Sequence, residues 1–172
     1  MAKRFSAAIA FMLCAVMLSF ISCSPGDDEK ALIELVEKAA SLAEKHEIGE
    51  IMALATEDFR AYPGNLDSRD AKRVLFMAFN YYGELKVIHP EPDIDLEPED
   101  GRPTVTVPFL ILRKNQSLPE LEGIYKNPGE WLEKVGENAD LYRFKLKVIK
   151  ADGEWFVKEA YLERFTGLGF NP

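Results

Sequence analysis

Few side chains in this sequence could do chemistry, and their spacing decides what each can do. The chain has two histidines, His46 and His89, and two cysteines, Cys14 and Cys23. His46 falls at the end of a helical pattern, where a cation complements the helix dipole. His89 stands before Pro90 at a kink. A zinc site needs three or four His, Cys or carboxylate ligands held together, and this inventory does not provide them. Asp93, Asp95, Glu97, Glu99 and Asp100 miss the spacing of a calcium-binding loop. The first three share one strand face opposite Ile94 and Leu96. Gly167-Leu168-Gly169 lacks the strand–helix context of a phosphate loop, and no G-x-S-x-G nucleophile turn occurs. We therefore expect no metal, no cofactor and no catalytic residue.

Cys23 is different. Lys3 and Arg4 form a basic start, and Phe5 to Ser24 carries no charge. A positive end, an apolar middle and a small-residue exit make an export signal. Phe20-Ile21-Ser22-Cys23 resembles the lipobox of bacterial lipoproteins, although Phe20 stands where Leu is usual. The resemblance implies removal of residues 1–22, acylation of Cys23 and a membrane anchor of more than one chain, as stable tethering requires. It also implies a place in the cell envelope, on the periplasmic face of the outer membrane in a Gram-negative host. Two other readings stay open: cleavage after Gly26, and an uncleaved span of about 20 apolar residues. All three export the rest of the chain.

Removing residues 1–22 from 172 leaves 150, enough for one domain with a real core. Two of the 21 basic residues and none of the 29 acidic ones leave with the signal, so the remainder carries ten more acids than bases. That balance excludes a nucleic-acid partner, which needs clustered Lys and Arg. Cys14 lies inside the signal, so the exported domain has no disulfide and must be stabilised by packing. Residues 23–30, including the charged run Ser24 to Lys30, read as a linker.

The elements that position everything else follow from periodicity. Leu32, Leu35, Val36, Ala39, Leu42 and Ala43 give one helical stripe, broken at His46 to Gly49. Ile48 to Ala55 suggests a second, short helix. Phe59 to Tyr62 reads as a strand stopped by Pro63-Gly64-Asn65. Asp67 or Ser68 caps a third helix whose stripe is Ala71, Val74, Leu75, Ala78 and Tyr82, and Gly83 ends it. Beyond Gly83 the period becomes two. Val105, Val107, Phe109 and Ile111 form one inward face, and Tyr142, Phe144, Leu146 and Val148 another. After the Ala151-Asp152-Gly153 turn, Trp155, Val157, Ala160 and Leu162 close the sheet, the odd step implying a bulge. Asn127, Pro128, Glu130 and Gly136 mark a short helix inserted within 115–140, with Trp131, Leu132 and Val135 on its apolar face. The tail, 166–172, shows no pattern.

Helices followed by antiparallel strands make an α+β order. Three N-terminal helices pack on a strongly curved, mainly antiparallel, cone-like sheet, with the short inserted helix between two late strands. The pattern resembles the nuclear transport factor 2-like superfamily, including the SnoaL-like proteins. It rests on the turn His46-Glu47-Ile48-Gly49, on Asp58-Phe59-Arg60, on the capped third helix and on Asp152-Gly153-Glu154-Trp155-Phe156-Val157. It spans 31–165, with 115–140 as an insertion. The family combines enzymes, targeting factors and lipoproteins, so its fold carries little functional weight.

In that family the cone holds a pocket, which implies a lining of Tyr82, Phe109, Tyr142, Phe144 and Trp155. Tyr62, Phe79 and Tyr81 complete an aromatic set that serves either the rim or the core. Among the inward positions the Tyr142 hydroxyl alone could transfer a proton. Trp131, Leu132 and Val135 form a lid, a partner face or simple packing. The leading expectation is a membrane-tethered, non-catalytic binder of an apolar small molecule or an envelope protein. The alternative is a SnoaL-like enzyme acting on a small hydrophobic substrate. A third reading is a homodimer through the outer sheet face bearing Leu110, Leu112 and Ile149. A carboxylate or histidine facing the pocket distinguishes the second from the first.

Overall fold

A 20-residue helix, α1 (Pro25–Glu44), comes first in the computed structural model. The structure describes residues 25–99, 101–113, 139–166 and 169–171. Cys23, the leader, and the inserted-helix residues Trp131, Leu132 and Val135 lie outside the described residues. The expected linker ends too late: Pro25 to Lys30 is already helix. Proline suits the first helical turn because its missing N–H would be unpaired there anyway. Asp27 and Asp28 sit in that turn, where the dipole favours acid. The charges that read as a solvated linker are the helix's own start. Asp28 also holds it down, accepting from Lys150 Nζ at 2.5 Å and from the Trp155 indole N–H at 3.2 Å. Leu32, Leu35 and Val36 are buried, as the stripe predicted.

The turn after α1 puts His46 at a φ of +60°. Helix α2 (Ile48–Ala53) buries none of its residues. Strand β1 (Ala55–Tyr62) is longer than its sequence suggested. Thr56, Glu57 and Asp58 hide its first half: they show no apolar alternation, the pairing with its neighbour strand shifts register between Ala55 and Arg60, and Asp58 is tied instead to Lys158 at 2.7 Å. The turn Pro63-Gly64-Asn65 closes on reciprocal Ala61–Leu66 hydrogen bonds of 2.9 and 2.8 Å. Asp67 then caps α3 (Ser68–Tyr82), accepting from the backbone N–H groups of Arg69 and Asp70 at 2.8 and 2.9 Å. Gly83, at a φ of +64°, ends it and donates to the Phe79 carbonyl at 2.9 Å.

The buried stripe of α3 differs from the expectation at two positions. Val74 is 42% exposed, and Phe79 is buried instead. The reason is a neighbour from outside the helix: the His46 ring stacks on Phe79 with centroids 4.7 Å apart. Sequence spacing alone gives the width of an apolar arc but not which edge finds a partner.

The remaining strands are β2 (Leu85–Ile88), β3 (Asp93–Asp95), β4 (Thr104–Arg113), β5 (Ala139–Ala151), β6 (Glu154–Phe165) and β7 (Phe170–Asn171). They form one curved, unclosed sheet with β1, in the order β1-β6-β5-β4-β2, with β3 on β4 and β7 on β6. Every pairing is antiparallel except β1 with β6. Pro90 and Pro92 fall between β2 and β3, which share one edge of β4. Asp152 at +51° and Gly153 at +86° make the tight hairpin between β5 and β6. The bulge is where the period predicted it: Lys147 pairs with Glu159 and Val148 with Val157, leaving Lys158 without a partner across the ladder. The tail is not patternless. Phe170 and Asn171 pair with Phe165 and Arg164, and Arg143 covers the Phe170 ring at 4.4 Å.

Leu32, Val36, Val105, Val107 and Val148 form the main core, with Ile94, Leu96, Phe144, Leu146, Trp155 and Val157 against it. A second cluster joins Phe59, Ala71 and Ala160. On the outer face Leu112 is only 4% exposed, so it cannot serve the surface on which alternation placed it. Two ion pairs, Arg143–Glu163 and Arg102–Glu159, cross that face.

Candidate functional site

Directly opposed residues on paired strands point to the same side of a sheet. Phe109 opposes Tyr142, and Tyr142 opposes Arg164; one row along, Ile111 opposes Asp140. These positions make one end of the inward face a mixed aromatic and charged rim. The last turn of α3 adds Tyr82. Its hydroxyl lies 2.6 Å from Asp140 Oδ2 and 3.1 Å from the Tyr142 hydroxyl. Arg164 Nη2 donates to Asp140 Oδ1 at 2.7 Å. Below them Phe109 stacks on Tyr142 at 5.7 Å and on Phe144 at 4.8 Å.

The donors and acceptors in this chain have a fixed sense. An ionised carboxylate only accepts, so the Tyr82 proton goes to Asp140. The Tyr82 oxygen is then free to accept, and the Tyr142 hydroxyl donates to it. Arg164 occupies the other carboxylate oxygen. What remains at the inner end is the Tyr142 oxygen, with lone pairs available beside an aromatic wall. Burial, then the hydrogen bond donated to Asp140, push Tyr82 well above the ordinary phenol range. The bond to Asp140 likewise holds Arg164 in its charged form.

Four of the five lining residues inferred from the family resemblance meet here: Tyr82, Phe109, Tyr142 and Phe144. Trp155 does not. It opposes Lys150, eight residues along β5 from Tyr142, or about 26 Å at strand spacing. There its indole binds Asp28, and Lys150 lies 5.6 Å from its ring centroid. Asp140 and Arg164 were missed. Asp140 falls at the end of the expected insertion, and Arg164 lies beyond Leu162, the last position of the expected closing strand. Extending each alternation two residues outward, from Tyr142 and from Leu162, would have found both. His46 stacks on Phe79, and His89 Nδ1 lies 2.9 Å from the Pro90 carbonyl oxygen. Among the described residues no three metal-capable side chains converge, and no helix is long and apolar enough to cross a membrane.

No protein-family model matches this chain, and no curated protein is significantly similar to it. Solved structures are similar in fold. A scytalone dehydratase-like protein from Novosphingobium aromaticivorans is 16% identical, with 84% of this chain and 92% of that one covered, at a TM-score of 0.53. ActVI-ORFA from Streptomyces coelicolor is 12% identical over 83% and 98%, at 0.62. A protein of unknown function with a cystatin-like fold from Nostoc punctiforme is 10% identical over 84% and 95%, at 0.61. These likenesses support the nuclear transport factor 2-like, SnoaL-type fold. At such identities they carry the fold alone.

Proposed function

We propose that this chain is an envelope lipoprotein, acylated at Cys23, whose rim binds a small apolar molecule bearing a hydrogen-bond donor, without converting it. The observation that carries the binding reading is the directed chain Tyr142–Tyr82–Asp140–Arg164 above the Phe109–Phe144 stack. It offers one acceptor, the Tyr142 oxygen, at the edge of an apolar wall. A flat ligand stacks on the ring, and its O–H or N–H meets that oxygen. Chemistry is disfavoured by the same contacts. A general acid or base works best with a pKa near the ambient pH, and Tyr82 is pushed away from it. Both Asp140 oxygens are already engaged.

A second reading, an enzyme of the SnoaL-like kind, is favoured by one fact: Asp140 is a carboxylate on the inward face, flanked by two phenols. One experiment addresses both. 2-Naphthol and 2-methoxynaphthalene share an apolar body, and only the first has a donor. Fluorescence titration should show the naphthol bound more tightly, with Tyr142→Phe removing the difference. Equal binding of both probes, or of neither, refutes the binding reading. Turnover of a hydroxylated substrate that Asp140→Asn abolishes while binding persists establishes the enzyme instead.

A further inference from the structure

Helix α3 has an exposed face separate from the rim. Ile48, Arg69, Lys72, Arg73, Phe76 and Met77 line an open groove of about 580 Å³. Phe76 is 61% exposed and Met77 60%. At 3.6 residues per turn, Arg69, Arg73, Phe76, Met77 and Asn80 share one side of the helix, opposite the buried Ala71 and Phe79. These two large apolar side chains therefore stand at the crest of the helix, away from the core. Three cations surround them in a chain with eight more acids than bases. One of these, Arg73, pairs with Asp70 at 3.0 Å, and both remain exposed.

We infer that this groove docks an acidic, apolar-bearing helical segment of a partner protein. Charge complementarity sets the sign, and Phe76 and Met77 set the need for apolar contact. The described residues of a second copy of the chain do not bring both. Among the described residues the large exposed apolar side chains lie on α3 itself, apart from Phe165, which packs edge-on against Phe170. Nor does the bilayer of the proposed anchor suit the groove. Ile48, at the groove, follows the far end of α1 by four residues, and that end lies about 30 Å from the end that follows Cys23. Between them α1 exposes Asp27, Glu29, Glu34, Glu37 and Glu44 against Lys30 and Lys38, a net acidic surface that anionic headgroups repel.

The test uses the full chain in nanodiscs of zwitterionic lipid and a labelled peptide of about 15 residues, long enough to turn helical. The peptide places Glu around Leu and Phe at helical spacing; a control replaces each Glu by Lys. Anisotropy should report binding of the acidic peptide alone, weakening as salt rises. Phe76→Ser should weaken it by about tenfold or more, as loss of an anchor residue does. Arg69→Glu with Lys72→Glu should do the same. Both sets are at the surface, so unchanged melting shows that the fold survives, and unchanged naphthol binding shows that the rim does. The proposal is overturned if both peptides bind alike or neither binds. It is also overturned if phosphatidylglycerol vesicles bind in the peptide's place with the same Phe76 dependence, or if Phe76→Ser abolishes a dimer of the chain itself.

Discussion

The Tyr82 hydroxyl reaches Asp140 Oδ2 at 2.6 Å across 58 positions of sequence. This bond joins the last turn of α3 to the first residues of β5, and so closes the rim on which the proposed binding depends. Arg164 pairs with the same carboxylate at 2.7 Å, so its charge is matched within the rim.

Removing the Tyr82 hydroxyl breaks two bonds, those with Asp140 Oδ2 and with the Tyr142 hydroxyl. Tyr82→Phe should therefore cost about 2 kcal/mol of stability in urea unfolding, at the usual net worth of about 1 kcal/mol for each bond. In a Tyr142→Phe background the same change should cost less, since no donor is left unpaired. The cycle is non-additive if the two hydroxyls act as one unit. Strict additivity would show that they do not.

Alkaline titration provides an independent check. Tyr161 donates to Glu159 at 2.7 Å, and that bond first, then burial, raises it from 10.0 to about 12. Tyr82 is raised further, chiefly by burial. A proton held more tightly when folded stabilises fully below the unfolded value near 10.0 and stops helping as pH climbs through the folded one. Stability should accordingly be flat with respect to these groups below that value and fall above it. Ultraviolet absorbance should show two phenols ionising above the ordinary range, Tyr161 at about 12 and Tyr82 above it. Tyr161→Phe should remove part of the alkaline slope.

How much of this was legible depends on what kind of signal each residue leaves. The bulge at Lys158, the cap at Asp67 and the hairpin at Asp152-Gly153 are local: a broken period, a capping side chain and a positive φ each leave a mark in the sequence. The start of α1 was hidden because Asp27 and Asp28 serve equally as linker charges and first-turn charges, and the contact that decides, Lys150, is 122 positions away. The same holds for Phe79 against Val74, settled by His46. Asp140 and Arg164 were half legible: alternation places them on the inward face, yet nothing local says that they meet. Tyr82 and Tyr142 were found as aromatics, but the direction of their hydrogen bonds needs coordinates.

Anchoring is tested apart from the fold. Labelled palmitate should enter the wild-type protein, and Cys23→Ser should abolish the label and move the protein out of the membrane fraction. Retention in the membrane without label indicates an uncleaved apolar span instead.

The cap on α3 gives a prediction with a built-in control. Asp67 accepts from the backbone N–H groups of Asp70 and Arg69, and the first of these is the main cause of a carboxyl pKa held below its usual 3.8. A depressed carboxyl stabilises above its unfolded value and loses that contribution as pH falls through the folded one. Asp67→Ala should lower the melting temperature at neutral pH, and the gap from wild type should narrow as the solution is acidified below that value. Asp67→Asn keeps a side-chain oxygen for the same N–H groups, since asparagine caps as well as aspartate. It should therefore melt close to wild type at neutral pH and show no such acid dependence. If Asp67→Ala instead stays equally destabilised at every pH, the carboxylate's charge contributes nothing and the cap acts through its oxygen alone.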